Sequence, residues 1–316
     1  MYLNQFPDID WIRENSHSNF QNGQDYRGNA LPRGGWPTAI IHVDSNATER
    51  NDIKGPFSLF YNLKGCSLVR LNHDWHQIDD FFYGISNNGE HFNLHIPEAQ
   101  QTTTFNIHFG KQLYDEVIQH LTQTEDWSLD NFGNLKTIPF EVLPTTHFMK
   151  QGLKDQLHAL RQYLTQNHTP YSADREYEST GAILEWLLME SHDGFSRHKR
   201  CSARKLSTKV ELFKRVNLGL EYIHSHNLQQ LDLNGISRNC GLSRFHFIRV
   251  FREIYHKTPM EYISELRLRK AQILLANSDK NLNSVAAELG FSELSAFTRF
   301  FKKQTGRPPS ALRQGK

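Results

Sequence analysis

From Ile236 to Arg313 the chain states one pattern twice. Ile236-Ser-Arg-Asn-Cys-Gly-Leu-Ser243 is echoed by Val285-Ala-Ala-Glu-Leu-Gly-Phe-Ser292, and Phe251-Arg-Glu-Ile-Tyr-His-Lys-Thr-Pro259 by Phe301-Lys-Lys-Gln-Thr-Gly-Arg-Pro-Pro309. The glycines Gly241 and Gly290 stand 49 apart, and the prolines Pro259 and Pro309 stand 50 apart. Two copies of one supersecondary unit are the economical reading, and they confine this third of the chain to a duplicated fold.

Each copy reads as helix, tight turn, helix. In the first, Leu233, Ile236 and Cys240 mark a short helix, Gly241 supplies the turn, and Ser243 caps a longer helix to about Tyr255. In the second, Leu282, Val285, Ala286 and Leu289 lead to Gly290, with Ser292 as the expected cap and Gly306 and Pro308 as the stop. A helix pair with a short glycine turn is a helix-turn-helix, whose second helix fits a DNA major groove. Between the copies, Tyr262, Ile263, Leu266, Ala271, Leu274 and Leu275 fall at helical spacing with Arg267, Arg269 and Lys270 interleaved. Such a helix is a spacer of roughly 25 Å at 1.5 Å per residue. Two helices so spaced suit successive major grooves on one face of a duplex, where the repeat is about 34 Å.

The Gly241-Leu-Ser243 and Gly290-Phe-Ser292 turns, Phe251, Pro259, the run from Arg267 through Ala271 to Leu274-Leu275, Phe301-Lys-Lys303 and Gly306 through Pro309 resemble the AraC/XylS family of bacterial transcription regulators. The resemblance covers about residues 210 to 313. It implies that residues 209–316 form an all-α domain with two helix-turn-helix motifs joined by a long helix. It departs at His256, where the family has the glycine that Gly306 supplies in the second copy. A left-handed residue there without glycine costs up to about 2 kcal/mol, so the turn is expected to differ locally.

The reading helices are expected at about 243–255 and 293–304. Positions that match the family's base-reading residues are Phe245, Ile248 and Arg249 in the first and Leu294, Ser295, Thr298 and Arg299 in the second. An arginine can pair with guanine through two hydrogen bonds, and apolar side chains can meet thymine methyls. Phosphate contacts are expected from Arg244, Arg252, Lys257, Lys302, Lys303 and helix N-terminal amides. Any one of these cations read alone is equally an exposed, solubilising charge. Phe247, Phe251, Phe297, Phe300 and Phe301 are core by spacing.

Charge supports this division. The formal net charge of +2 hides 23 Lys and Arg against 9 Asp and Glu from Arg197 onward, a net +14, and leaves 13 against 25, a net −12, before it. A polycationic C-terminal third next to an acidic remainder points to a nucleic-acid partner for the former alone. Cys66, Cys201 and Cys240 lack metal-ligand spacing and fit a reducing cytoplasm. No secretory leader pattern and no run of 18 apolar residues is present, so no membrane partner is expected.

Residues 1–195 carry a different pattern. The stretch to Pro37 reads as irregular, docked by Trp11, Phe20 and Trp36. Short β-like runs follow at 39–43, 57–63, 67–71, 81–86, 91–96 and 102–109, separated by turn formers such as Lys64-Gly65, Asn72-His73-Asp74 and Asn87-Asn88-Gly89. They argue for a small barrel or jelly roll, and with the helical third for an α+β chain. The Tyr61-Asn-Leu-Lys-Gly65 turn and the Thr104-Phe-Asn-Ile-His-Phe-Gly110 run resemble the cupin-like sensor half of the same regulators. Helices are expected at about 111–124, 151–167 and 177–191. Leu153, Leu157, Leu160 and Leu164 recur at intervals of 4, 3 and 4, the spacing of a paired-helix seam, and are expected to make a homodimer. The alternative is that they pack on the barrel. Residues 196–208 read as a flexible basic linker.

His73, His76, His91, His95 and His108 cluster in sequence, and His91 and His95 share a strand face, which a metal site would need. The His-X-His and downstream glutamate of metal-binding cupins are missing, so neither metal, cofactor nor catalytic residue is assigned. The reading that results is a cytoplasmic, sequence-specific binder of promoter DNA, an effector-responsive activator and homodimer with RNA polymerase as a further partner. A metal-dependent cupin-type enzyme fused to a DNA-binding module is the alternative of another class, and a sensor half that binds a protein rather than a small molecule is a third.

Overall fold

In the computed structural model the chain divides into two compact units, Met1–Phe195 and Ser196–Lys316. The structure describes residues 2–8, 37–71, 74–98, 101–123, 142, 146–166, 172–225, 231–277 and 280–313. Trp11, Phe20, Trp36 and His73 lie outside them.

The first unit is built from two sheets. The larger runs β1 (Tyr2–Leu3), β2 (Ala39–Ser45), β10 (Thr102–His108), β4 (Ser58–Phe60), β8 (Phe82–Ser86) and β11 (Thr146–Phe148), with β5 (Asn62–Lys64) also paired to β10. The smaller runs β3 (Thr48–Lys54), β9 (His91–Ile96), β6 (Ser67–Leu71) and β7 (Asp74–Ile78). Most neighbours are antiparallel, with Thr102 opposite Ser45 and His108 opposite Ala39, while β1 adds in parallel to β2. Side chains that alternate along a strand separate two cores. Ile53, Phe60, Val69, Leu71, Ile78, Phe92, Leu94 and Ile96 cluster between the sheets, whereas Leu59, Tyr61, Ile85, Phe105 and Ile107 belong to the helix-covered core of the larger sheet. Strands β1, β3, β7 and β11 exceed the sequence reading. Thr-Glu-Arg-Asn-Asp-Ile-Lys across 48–54 buries only Ile53, so it lacks the alternation that marks a strand.

Three helices cover the larger sheet: α1 (Lys111–Gln123), α2 (Gln151–Thr165) and α3 (Ala173–Ser196), the last longer at both ends than the expected 177–191. Here one expectation is overturned. Leu153, Leu157 and Leu160 are 0, 0 and 2% exposed in the core they share with Ile183, Leu184, Leu187 and Leu188 of α3, and Leu164 packs against the same cluster. Side chains already covered by their own unit offer no surface to a second copy. The spacing of 4, 3 and 4 marks an internal seam.

The histidines resolve individually. On β9, Phe92, Leu94 and Ile96 are buried, so His91 and His95 occupy the outer face; His91 Nδ1 lies 2.7 Å from Asp52 Oδ1. His108 is buried against Ser58, whose Oγ is 2.8 Å from its Nδ1, and burial depresses its pKa to about 4, leaving it neutral. Among the described residues no group of three or more His, Cys, Asp or Glu could hold a metal ion. Nor, among them, is any helix long and apolar enough to cross a membrane.

The second unit is helical. A short 3-10 turn (Arg197–Arg200) precedes α4 (Leu206–Ser225), α5 (Leu233–Asn239), α6 (Arg244–Tyr255), α7 (Pro259–Asn277), α8 (Leu282–Glu288), α9 (Leu294–Thr305) and α10 (Pro309–Arg313). The stretch 196–208 is no loose linker. Cys201 is 2% exposed, His198 is buried, and Lys209 Nζ donates to the Lys199 carbonyl at 3.1 Å. Helix α4 packs on the first copy through Gly219. A Cβ there would lie 2.6 Å from Cys240 Sγ and 2.7 Å from the Phe247 ring, so the approach requires glycine.

Candidate nucleic-acid interface

Each copy begins with a capped helix. Asp232 accepts hydrogen bonds from the Asn234 and Gly235 amides ahead of α5, and Asn281 accepts from Ser284 N–H at 2.8 Å ahead of α8. The turn follows at Gly241, with φ +62°, and at Gly290, with φ +82°, values that disfavour any residue with a Cβ. Ser243 then caps α6, its hydroxyl accepting from His246 N–H.

The second copy departs here. Its reading helix starts at Leu294, its N-cap is Glu293, and no side chain caps it. Ser292, expected as the cap, is one residue too early. The spacing of 49 between the glycines and 50 between the prolines means that the second copy has one extra residue, and the structure places it at this junction. At the other end the two helices match. His256 takes φ 57° and ψ 18° and donates its N–H to the Arg252 carbonyl at 2.9 Å; Gly306 takes φ 76° and ψ −8° and donates to Lys302 at 2.8 Å. The expected local difference at His256 is absent: the histidine takes the same left-handed conformation as Gly306, at a strain of roughly 1 kcal/mol.

Both reading helices are anchored by one face. Phe247, Val250, Phe251 and Ile254 are buried in α6, as are Phe297 and Phe301 in α9. Ring centroids of Phe251 and Tyr255 are 4.7 Å apart, and those of Phe251 and Tyr262 are 5.9 Å apart, which ties α6 to the connecting helix α7. In the second copy Phe291 contacts Phe300 at 5.1 Å and Phe297 at 5.6 Å, and the Arg267 guanidinium of α7 lies 5.4 Å from the Phe291 ring centroid. Phe300 is half-buried rather than fully core.

The opposite face carries the candidate readers. Phe245 is 85% exposed, Arg249 is exposed and Ile248 half-buried, at the i, i+3 and i+4 positions that share one helix face. Fifty residues on, Ser295 and Arg299 are exposed and Thr298 is half-buried on the same face of α9. Leu294, at the first position of that helix, is half-buried, and Ser295 donates its hydroxyl to Glu293 at 2.9 Å. Phe245 is the most exposed large apolar side chain among the described residues.

Of the five expected phosphate clamps, Arg244, Arg252, Lys302 and Lys303 are exposed. Lys257 is not held outward. Its Nζ lies 2.6 and 2.8 Å from the two carboxylate oxygens of Glu265, so its charge is matched inside the unit. Sequence gave no sign of this pair, because the partners stand eight residues apart across a helix start. It likewise gave no sign that Arg197, Arg200 and Ser202 dock on the last turn of α6. Arg200 Nη1 donates to the Ile254 carbonyl at 3.0 Å, the Arg197 guanidinium lies 5.6 Å from the Tyr255 ring centroid, and Ser202 bonds Glu253.

Known proteins share this unit. A helix-turn-helix domain family matches residues 236–315. The chain is 31% identical over 94 residues to the regulatory protein SoxS of Salmonella typhimurium, spanning 30% of this chain and 88% of that one. It is 28% identical over 261 residues to the HTH-type transcriptional regulator YdeC of Bacillus subtilis, spanning 80% and 81%. Among solved structures, the DNA-binding domain of AdpA in complex with a target DNA is 30% identical, at a TM-score of 0.29, covering 33% of this chain and 91% of that one. The chain spans about a third of the length of the first curated relatives it matches.

Proposed function

The chain belongs to the AraC/XylS family of DNA-binding transcription regulators, and from that membership we propose that it is a cytoplasmic, effector-responsive activator that reads two successive major-groove segments of a promoter. The observation that carries this reading is the pair of matched faces, exposed Phe245 and Arg249 with half-buried Ile248 on α6, and exposed Ser295 and Arg299 with half-buried Thr298 on α9, each on a helix whose opposite side is buried. Arg249 and Arg299 supply guanine contacts, Phe245 and Ile248 meet thymine methyls, and Ser295 and Thr298 serve as adaptable hydrogen-bond partners. Arg244, Arg252, Lys302 and Lys303 hold the backbone and fix register.

Response to an effector belongs to the two-sheet unit. Its support is the buried polar groups there: among the described residues, Asn62 Oδ1, Ser86 Oγ and both His76 ring nitrogens have no hydrogen bond of ordinary geometry. Burial lowers the His76 pKa, with the Leu71 backbone and Asp74 acting against it, so the ring is neutral and able both to donate and to accept. Unsatisfied groups of this kind each cost about 1 to 3 kcal/mol, which a small polar molecule with matching groups would recover. The homodimer that the family implies must use other surfaces than Leu153, Leu157 and Leu160; among the described residues of α3, Tyr177 and Met189, 37 and 42% exposed, are the exposed large apolar side chains. RNA polymerase is the further partner an activator requires.

Titration of the full-length chain against a duplex selected by it from a randomised pool, across a series of salt concentrations, tests the reading. Four cationic clamps give a slope of log affinity on log salt of about −4. Affinity insensitive to salt, or equal for the selected duplex and random DNA, contradicts it.

A further inference from the structure

The two reading helices differ at the position four residues beyond their arginines. Arg249 is followed by Glu253, and Arg299 by Lys303. Side chains four apart on a helix are surface neighbours, so Arg249 has a carboxylate within reach where Arg299 has a second cation. A free carboxylate at that place competes with DNA for the guanidinium.

In this structure the carboxylate is engaged elsewhere. Ser202 donates its backbone N–H to Glu253 Oε2 at 3.0 Å, and its hydroxyl lies 3.0 Å from Oε1 and 3.1 Å from Oε2. Ser202 closes a strap that follows α3 directly in the chain and is fastened to the last turn of α6 by Arg197, Arg200 and the buried Cys201. Burial acts to raise the Glu253 pKa, but the Ser202 donors, the charge of Arg249 and the Cys201 thiol of the same strap outweigh it and hold the carboxyl below the ordinary glutamate range. Glu253 is therefore ionised, with the strap, through Ser202 and Cys201, on one side of its charge and Arg249 on the other.

We propose that Glu253 is a positioning residue for Arg249, and that the 197–202 strap decides whether Arg249 is free to read DNA. With the strap docked, Ser202 occupies the carboxylate and Arg249 extends to the bases. With the strap lifted, Glu253 turns to Arg249 and draws it back along the helix. An arginine that precedes its glutamate by four residues is the weaker order for a helical ion pair, so the hydrogen bonds from Ser202 are enough to prevail while it is docked. The control acts on the first copy alone, because Lys303 cannot hold Arg299. The strap begins at the end of the helix that closes the two-sheet unit, so this is a route by which a change there reaches one half of the DNA site. The proposal rests on the assignment of Arg249 as a base reader.

The test uses the full-length chain, the duplex it selects from a randomised pool, and every single-base variant of that duplex. Ser202→Ala removes the hydroxyl, and Ser202→Asp sets a second carboxylate against Glu253. Selectivity at the bases read by the first copy should fall about twofold with Ser202→Ala, the size of one weak helical ion pair, and further with Ser202→Asp. Bases read by the second copy should keep their selectivity. In a Glu253→Gln background neither Ser202 change should matter, since a neutral amide does not hold the guanidinium. Ser202→Gly, which keeps the backbone donor, should match Ser202→Ala, with thermal unfolding showing each variant folded. If the Ser202 changes lower selectivity equally in the Glu253→Gln background, or lower it in both halves of the site, the strap is packing alone and the proposal fails. Arg249→Ala separates the two levels. A loss confined to the first half together with additive Ser202 effects overturns the strap only, whereas a loss spread evenly over all positions takes the base-reading assignment down with it.

Discussion

The reading helix of the first helix-turn-helix has a side-chain cap at its start and a strap across its last turn; that of the second has neither. Helix α4 closes on the first through Gly219, Ser243 caps its reading helix, and the strap grips its last turn at Glu253 and Ile254. The second has an uncapped reading helix that starts one residue later, and its brace is the connecting helix, through Arg267 against Phe291. Yet Phe247 and Phe251 in one, and Phe297 and Phe301 in the other, are all 0% exposed, and both helices end in a left-handed residue. The difference teaches what the duplicated frame demands: buried aromatics and two tight turns are common to both copies, while caps, braces and exposed side chains are free to diverge. Divergence is greatest on the exposed face, where Phe245 and Ile248 stand against Ser295 and Thr298, and Glu253 against Lys303.

If the frame is shared, its cores should respond alike. Phe251→Ala and Phe301→Ala should each cost about 3 to 5 kcal/mol, read from thermal or denaturant unfolding. A loss below about 1 kcal/mol at either site would mean that this copy is held by something other than its aromatic core.

The helix ends should respond oppositely. Gly306→Ala places a Cβ that meets nothing within 4 Å, so its cost is backbone strain alone, about 1 kcal/mol or somewhat more. His256→Gly relieves the same strain and should stabilise by about 0.5 kcal/mol after the larger chain entropy of glycine is deducted. Destabilisation by both changes would show that the His256 side chain earns its place by a contact.

The smallest effects lie at the helix starts. Ser243→Ala should lose about 1 kcal/mol of stability, whereas Glu293→Ser should gain about 0.5 kcal/mol by adding the cap that the second copy lacks. Equal losses from the two changes would mean that Glu293 caps α9 in solution.

How much of this was legible in the sequence depended on whether the signal was periodic. The duplicated glycines and the buried phenylalanines recur 49 and 50 residues apart, and the six β-like runs are bounded by turn formers; the structure has helices and strands there. Leu153, Leu157, Leu160 and Leu164 were equally periodic, but a period says which face is covered and not by what; the covering surface is the unit's own sheet and α3. The 196–208 stretch had no period at all, because its contacts go to one carbonyl, one ring and one carboxylate. Strand β3 was hidden for a related reason, since six of its seven residues are polar or charged. The Ser292 cap was misplaced by one residue although the intervals of 49 and 50 contained the shift.

The central claim is that α6 and α9 read separate segments of one duplex. It is tested most directly by measuring the full-length chain, Arg249→Ala and Arg299→Ala against all single-base variants of the selected duplex. Each substitution should erase about 1 to 3 kcal/mol of discrimination at its own bases, in two clusters about 10 base pairs apart, and leave the other cluster intact. An even loss of affinity at every position, or a single cluster affected by both changes, contradicts the account.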